Sequence, residues 1–235
     1  MDGREDFPGG RLRPAVSGKP FMAVSPDRAD PSGGTPSDST PSHGAVAKET
    51  GTPVEWRYGM CPLDTDAWSF GPFRGLVAQW HDRRPPGGGV PRRDDFQFED
   101  FVDWLGRVFI AKVERDPFNL RFTLWGTKLA EWWRVDYTNR TIGELSNSPD
   151  LWELTEIQYF REMDRRPFIG IACGFLSLHG RGHIKVLGLD LPFSDGNGLT
   201  HVISVHMKID LGETVEDVLP DCPVTDFVPG AGRAS

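Results

Sequence analysis

The sequence predicts an α+β fold, one antiparallel sheet with helices laid on a face. Strand patterns come in two consecutive groups, near residues 107–125 and 168–209, each joined by short turns. Helical spacing fills the intervals before and between those groups. The span 72–210, about 140 residues, has the size of one ordinary domain.

The elements follow in order. Phe73, Leu76, Val77 and Trp80 stand at i, i+3, i+4 and i+7, the apolar stripe of a short helix. The run "RRPPGGGVPRR" at 83–93 ends it, because Pro and Gly cannot continue a helix. Phe98, Phe101, Val102 and Leu105 repeat the stripe behind the capping carboxylates Asp94 and Asp95, and Gly106 closes it. "RVFIAKVE" (107–114), the turn "RDPFN" and "LRFTLW" (120–125) read as a hairpin. The alternation breaks at Gly126 and restarts at helical spacing with Leu129, Trp132 and Trp133. Residues 135–145 read as irregular. A longer helix over 149–164 puts Trp152, Tyr159, Phe160 and Met163 on one face, and Pro167 ends it. Three strands, 168–180, 183–193 and 199–209, make a meander through "RG" and "SDGNG".

Outside that span the composition changes. Residues 1–52 are rich in Pro, Ser, Gly and Asp and poor in large apolar side chains, so they are expected to be disordered, or to lie ahead of a start at Met22 or Met60. Residues 53–71 read as a linker and 211–235, with Pro220, Pro223 and Pro229, as a tail.

A net charge of −8 and the lack of a Lys/Arg stripe speak against a nucleic-acid partner. No apolar run is long enough for a membrane span, and no secretory signal is visible, so a cytoplasmic location is expected. Cys61, Cys173 and Cys222 are odd in number and far apart in sequence, which suits a reducing compartment rather than a disulfide framework.

The segment 76–145 resembles a PAS-like family found mainly in alphaproteobacteria and mostly without assigned function. The resemblance rests on Trp80 in the first helix, the step Pro91-Arg92-Arg93-Asp94, the strand and turn from Arg121 to Thr127, and the turn from Asp136 to Leu145. It departs from the family at two glycine positions, occupied here by Arg134-Val135 and by Asn139. The resemblance implies a PAS-like five-stranded antiparallel sheet. Short helices would cover one face over a small-molecule pocket, and N-terminal helices would pack outside or form a dimer.

Thr127 to Pro167 holds no histidine for a haem ligand and no cysteine for a cysteinyl-flavin, so both are disfavoured; a noncovalent flavin stays open and the cofactor is unknown. No G-x-S-x-G, P-loop or H-E-x-x-H motif occurs, so no catalytic residue is assigned and an enzyme is not expected. His179, His183, His201 and His206 read as surface histidines rather than metal ligands, with His201 and His206 on opposite strand faces. Glu153, Glu156, Glu162 and Asp164 read as the solvated face of their helix.

Trp104, Trp125, Trp132, Trp133 and Trp152 surround the short-helix block, as core or as pocket wall. The candidate pocket residues are Phe122, Leu124, Leu129, Trp132, Trp133, Tyr159, Phe175, Leu189 and Ile203. The expected function is a sensory or regulatory module acting through a small-molecule ligand, a protein partner or a homodimer built on residues 72–105. The alternatives are a ligand-free interaction module with a filled core and an unrecognised enzyme.

Overall fold

The computed structural model describes residues 56–144 and 149–229, with the side chains of 149–154 and 178 outside the description. The expected disordered segment 1–52 and the side chain of Trp152 lie outside the described residues. In chain order the strands are β1 (Trp56–Cys61), β2 (Val108–Arg115), β3 (Phe118–Trp125), β4 (Ile169–Leu176), β5 (Arg181–Ser194), β6 (Leu199–Ile209) and β7 (Thr225–Asp226). The helices are α1 (Arg74–Asp82), α2 (Thr127–Trp133), α3 (Pro149–Arg165) and α4 (Val215–Val218), with 3-10 turns at Ala67–Phe73, Arg93–Asp95, Phe98–Trp104 and Ser177–His179.

All seven strands form one antiparallel sheet in the order β3-β2-β6-β5-β4-β1-β7. The architecture is α+β. The five strands expected, β3-β2-β6-β5-β4, lie side by side, and two more extend the sheet beyond β4. Both additions correct the sequence reading. Residues 56–61, expected as linker, pair along β4 from Trp56↔Gly174 to Cys61↔Ile169. Residues 225–226, expected in a tail, pair with Gly59 and Met60. Neither strand has a long alternating pattern, and each is held by its neighbours.

The sheet is packed on both faces. On the outer face lie α1, the 3-10 turns at Ala67–Phe73 and Phe98–Trp104, and α4, with Phe70, Phe73, Leu76, Val77, Trp80, Phe96 and Phe101 over Ile171, Leu189, Leu191, Phe193, Ile203 and Val205. The expected second amphipathic helix is a 3-10 segment instead. At three residues per turn only Phe101 and Trp104 reach the core, while Phe98, Val102 and Leu105 stay exposed.

On the inner face, α2 and α3 cover Phe109, Ala111, Leu120, Phe122, Trp125, Ala172, Val186 and Val202. The period changes at Gly126 because the chain there passes against the backbone of Gly106, where a Cβ would collide with main-chain atoms. The Gly106 carbonyl accepts the first free N–H groups of α2, from Lys128 at 2.8 Å and Leu129 at 3.1 Å. At the end of α2, Arg134 adopts a left-handed conformation (φ 56°), and Asn139 does the same (φ 64°). These are the two places where the resembled family carries glycine, so the turn keeps its backbone without the permissive residue.

Candidate functional site

Register places two rows of side chains across the inner face. One row runs Met60, Gly170, Asp190, Ser204, Phe109, Trp125, from β1 to β3. The next runs Tyr58, Ala172, Gly188, His206. The middle of each row is small or polar where a plain core would be large and apolar. Asp190 is 2% exposed, Ser204 fully buried and His206 4% exposed. Such groups are costly in a core unless hydrogen-bonded.

The glycines make the room. A Cβ on Gly188 would sit 2.9 Å from Cε1 and Nδ1 of the His206 ring. One on Gly170 would strike the Tyr159 hydroxyl. Tyr159 comes down from α3 and donates to Asp190 Oδ2 at 3.2 Å. Ser204 Oγ lies 2.9 Å from His206 Nε2. Burial lifts the Asp190 carboxyl to about 6, although hydrogen bonds from Ser204 and Tyr159 pull the other way. Glu156, one turn before Tyr159, is raised to about 7 by burial and by the Asp190 charge. Burial drives the His206 imidazole down to about 3, so it is neutral near pH 7.

Two polar atoms here lack a partner. Nδ1 of His206 and Nε1 of Trp125 are buried without a hydrogen bond. They belong to one ring cluster. Phe109 stacks on Trp125 at 5.5 Å and meets His206 at 5.6 Å, while Trp133 meets Trp125 at 5.7 Å and His206 at 5.5 Å, both edge to face.

Serine, histidine and aspartate stand together, but not in the order of a nucleophilic triad. There the carboxylate orients Nδ1 of the histidine. Here the carboxyl is linked to the serine and Nδ1 is unpartnered, so nothing fixes the imidazole as a base.

The candidate pocket residues divide. Phe122, Leu129, Trp132, Trp133 and Tyr159 are in the inner-face cluster. Leu189, Ile203 and Leu124 pack on the outer face instead. Leu189 and Ile203 point outward because the residues flanking them, Gly188 and Asp190 on β5 and Val202 and Ser204 on β6, face inward. Leu124 is turned by a bulge: Ile110 pairs with Leu124 and Ala111 with Phe122, so Thr123 is the extra residue and the two apolar side chains part. Phe175 is half-buried, with Lys185 Nζ 5.0 Å from its ring centre.

Sequence reasoning placed His206 on the surface and Glu156 on a solvated helix face; His206 is buried against the inner-face cluster, and Glu156 is half-buried at its border. It passed over Asp190 and Ser204. The available signal was the pair of strands 184–191 and 202–207, whose alternate positions hold Gly188, Asp190, Ser204 and His206 among large aliphatics. Elsewhere, on the outer face, a cavity of about 320 Å³ opens among Leu76, Gln79, Asp100, Trp104, Arg107 and Met207.

Residues 71–166, the stretch from α1 through α3, match the family model described as PAS domain. The architecture is consistent with a PAS-like fold, and a PAS match suggests a sensory or regulatory module in general. No curated protein and no solved structure matches the chain. Among the described residues no helix is long and apolar enough to cross a membrane.

Proposed function

We propose that this chain is a non-enzymatic sensory module whose inner face takes a small, flat, polar molecule and whose output is a protein contact. The observation that carries the reading is the pair of unpartnered atoms, His206 Nδ1 and Trp125 Nε1, set among Phe109 and Trp133. An indole N–H needs an acceptor and a neutral imidazole nitrogen with no proton needs a donor. A planar nitrogen heterocycle offers both and stacks between rings. Shifting α2 and α3 to admit it would bias an equilibrium between two packings of the cover. On the outer face the exposed Phe98, Val102 and Leu105 offer a contact for a partner or a second copy.

The test is native mass spectrometry of the full chain as purified, followed by a thermal-shift screen of purines, pterins and flavins. A stoichiometric adduct, or stabilisation lost in His206→Phe, supports the reading. A clean mass with no stabilisation overturns it. The second reading, a ligand-free interaction module, is favoured by the ring packing itself, in which Phe109, Phe122 and Trp125 lie within 5.1–5.5 Å of one another.

A further inference from the structure

The C-terminal segment is docked on β1, and its docking brings together two cysteines that are 161 residues apart. Cys61 Sγ, at the end of β1, lies 3.0 Å from Cys222 Sγ. Both are free thiols, Cys61 buried and Cys222 part-exposed. The approach is held from several sides. Arg57 binds Glu216 and Asp226, each at 2.6 Å. The Phe227 N–H donates to Tyr58 O at 2.8 Å, and Val215 and Leu219 are buried under the outer face. A side chain on Gly59 would strike Val224, so the segment lies directly on the strand.

We propose that Cys61 and Cys222 form a redox site, a dithiol that a peroxide closes to a disulfide. Cys222 is the attacking group. It is the more exposed, and the hydrogen bond they share draws its thiol below the ordinary range while raising that of Cys61. The Cys222 thiolate attacks one peroxide oxygen. The S–O bond forms, the O–O bond breaks, and the departing oxygen takes a proton to give water from hydrogen peroxide. The Cys61 sulfur then attacks the Cys222 sulfenic acid. The S–S bond forms, the S–O bond breaks, and hydroxide leaves as a second water with the Cys61 proton. Two thiols have lost two electrons and two protons, and the peroxide has gained them. The sulfurs need to move about 1 Å to reach bonding distance.

The consequence is a lock on the segment that carries α4 and β7. Phe227 meets the Tyr159 ring at 5.5 Å, edge to face. Tyr159 in turn holds Asp190. The oxidation state of the pair is thereby set against the same helix that covers the inner-face cluster. Cys173, the third cysteine, is buried and pairs in register with Arg57 rather than with Cys61, so it serves as an internal control.

The experiment uses the full chain, reduced, freed of reductant and titrated with hydrogen peroxide. The expected result is an intact mass lower by two hydrogens and a Cys61–Cys222 linked peptide, with Cys173 still open to alkylation after denaturation. Cleavage of the chain beyond residue 211 by a non-specific protease should slow by roughly ten-fold or more in the oxidised form. Cys173→Ser keeps the link and Cys222→Ser abolishes both the link and the protection. Three free thiols after peroxide treatment of folded protein, a link to Cys173, or oxygen addition at Cys222 without a link would each overturn the proposal. Ligand binding on the inner face is not needed for any of these readouts, so they stand or fall separately from the sensory reading.

Discussion

On the outer face, Trp80 sits fully buried and its Nε1 donates to Pro192 O at 3.1 Å; on the inner face, Trp125 is also buried and its Nε1 finds no acceptor. Around Trp80 the sheet offers Leu189, Leu191, Phe193 and Ile203, all apolar. Beside Trp125 it offers Ser204, Asp190 and His206. One sheet thus carries an apolar layer with Trp80 hydrogen-bonded on one side and a polar strip with two unpartnered ring nitrogens on the other, although Arg83 Nη1 and His201 Nδ1 beside the outer layer also lack a partner. A buried unpaired donor or acceptor costs about 1–3 kcal/mol, so a face carrying two of them is not optimised for stability alone. The contrast is between a face whose strand residues are apolar and one whose strand residues are polar.

Truncation of the outer face should have the largest effect. Trp80→Ala removes a fully buried ring and an indole hydrogen bond, and should lower unfolding stability by about 3–5 kcal/mol in urea titrations. A loss near that of an exposed residue would mean that the outer layer is not the scaffold.

The next effect is electrostatic. The Asp190 carboxyl is raised in the fold to about 6, so the folded state holds a proton that the unfolded chain releases nearer the ordinary aspartate value. Its contribution is full at low pH and is lost as pH rises towards the folded value. His206, held down to about 3, acts oppositely, and its contribution is lost as pH falls below the ordinary histidine range. The two trends mask each other in the wild type. Asp190→Asn removes one of them, so its stability relative to wild type should improve by about 2–3 kcal/mol between about pH 4 and pH 7, a difference that Glu156, Tyr58 and Tyr159 nearby modulate. A pH-independent difference would place Asp190 in a water-like setting.

Gly188→Ala probes the packing of the same strip. The added methyl meets the His206 ring at 2.9 Å, so the ring must shift; a loss of about 1–3 kcal/mol is expected by thermal or chemical unfolding. No loss would show that the imidazole is loosely held. The smallest effect belongs to the clamp between β2 and α3. Arg115 and Asp164 make a two-bond ion pair at 2.7 and 3.1 Å at the surface. Arg115→Ala should cost no more than about 1 kcal/mol and less in high salt, measured by the same unfolding curves.

The sequence made the order of elements legible because hairpin turns, helix breakers and apolar spacing are local signals. Trp80, Phe122, Trp132, Trp133 and Tyr159 were readable as buried for the same reason. The remainder depends on pairing between distant segments. β1 is a short strand whose partner, β4, is more than a hundred residues away, and β7 has only two residues. The Leu124 turn depends on a bulge that no composition announces. His206 looked like a surface position because polar residues on an alternating strand usually face water, and Asp190 was passed over; only the helical cover of the inner face makes both buried. Cys61 and Cys222 read as unrelated until the chain end is laid beside β1.

The most direct test of the account is the indole N–H spectrum of the ¹⁵N-labelled full chain, recorded while purine, benzimidazole and imidazole are added in turn. Trp125 and Trp80 are assigned by single Trp→Phe replacements. The account predicts that Trp125 Nε1–H shifts with one of these probes, on gaining an acceptor, while Trp80 Nε1–H, already bonded to Pro192, stays in place. Movement of Trp80 and Trp104 with Trp125 unchanged would contradict it, because binding would then lie on the outer face.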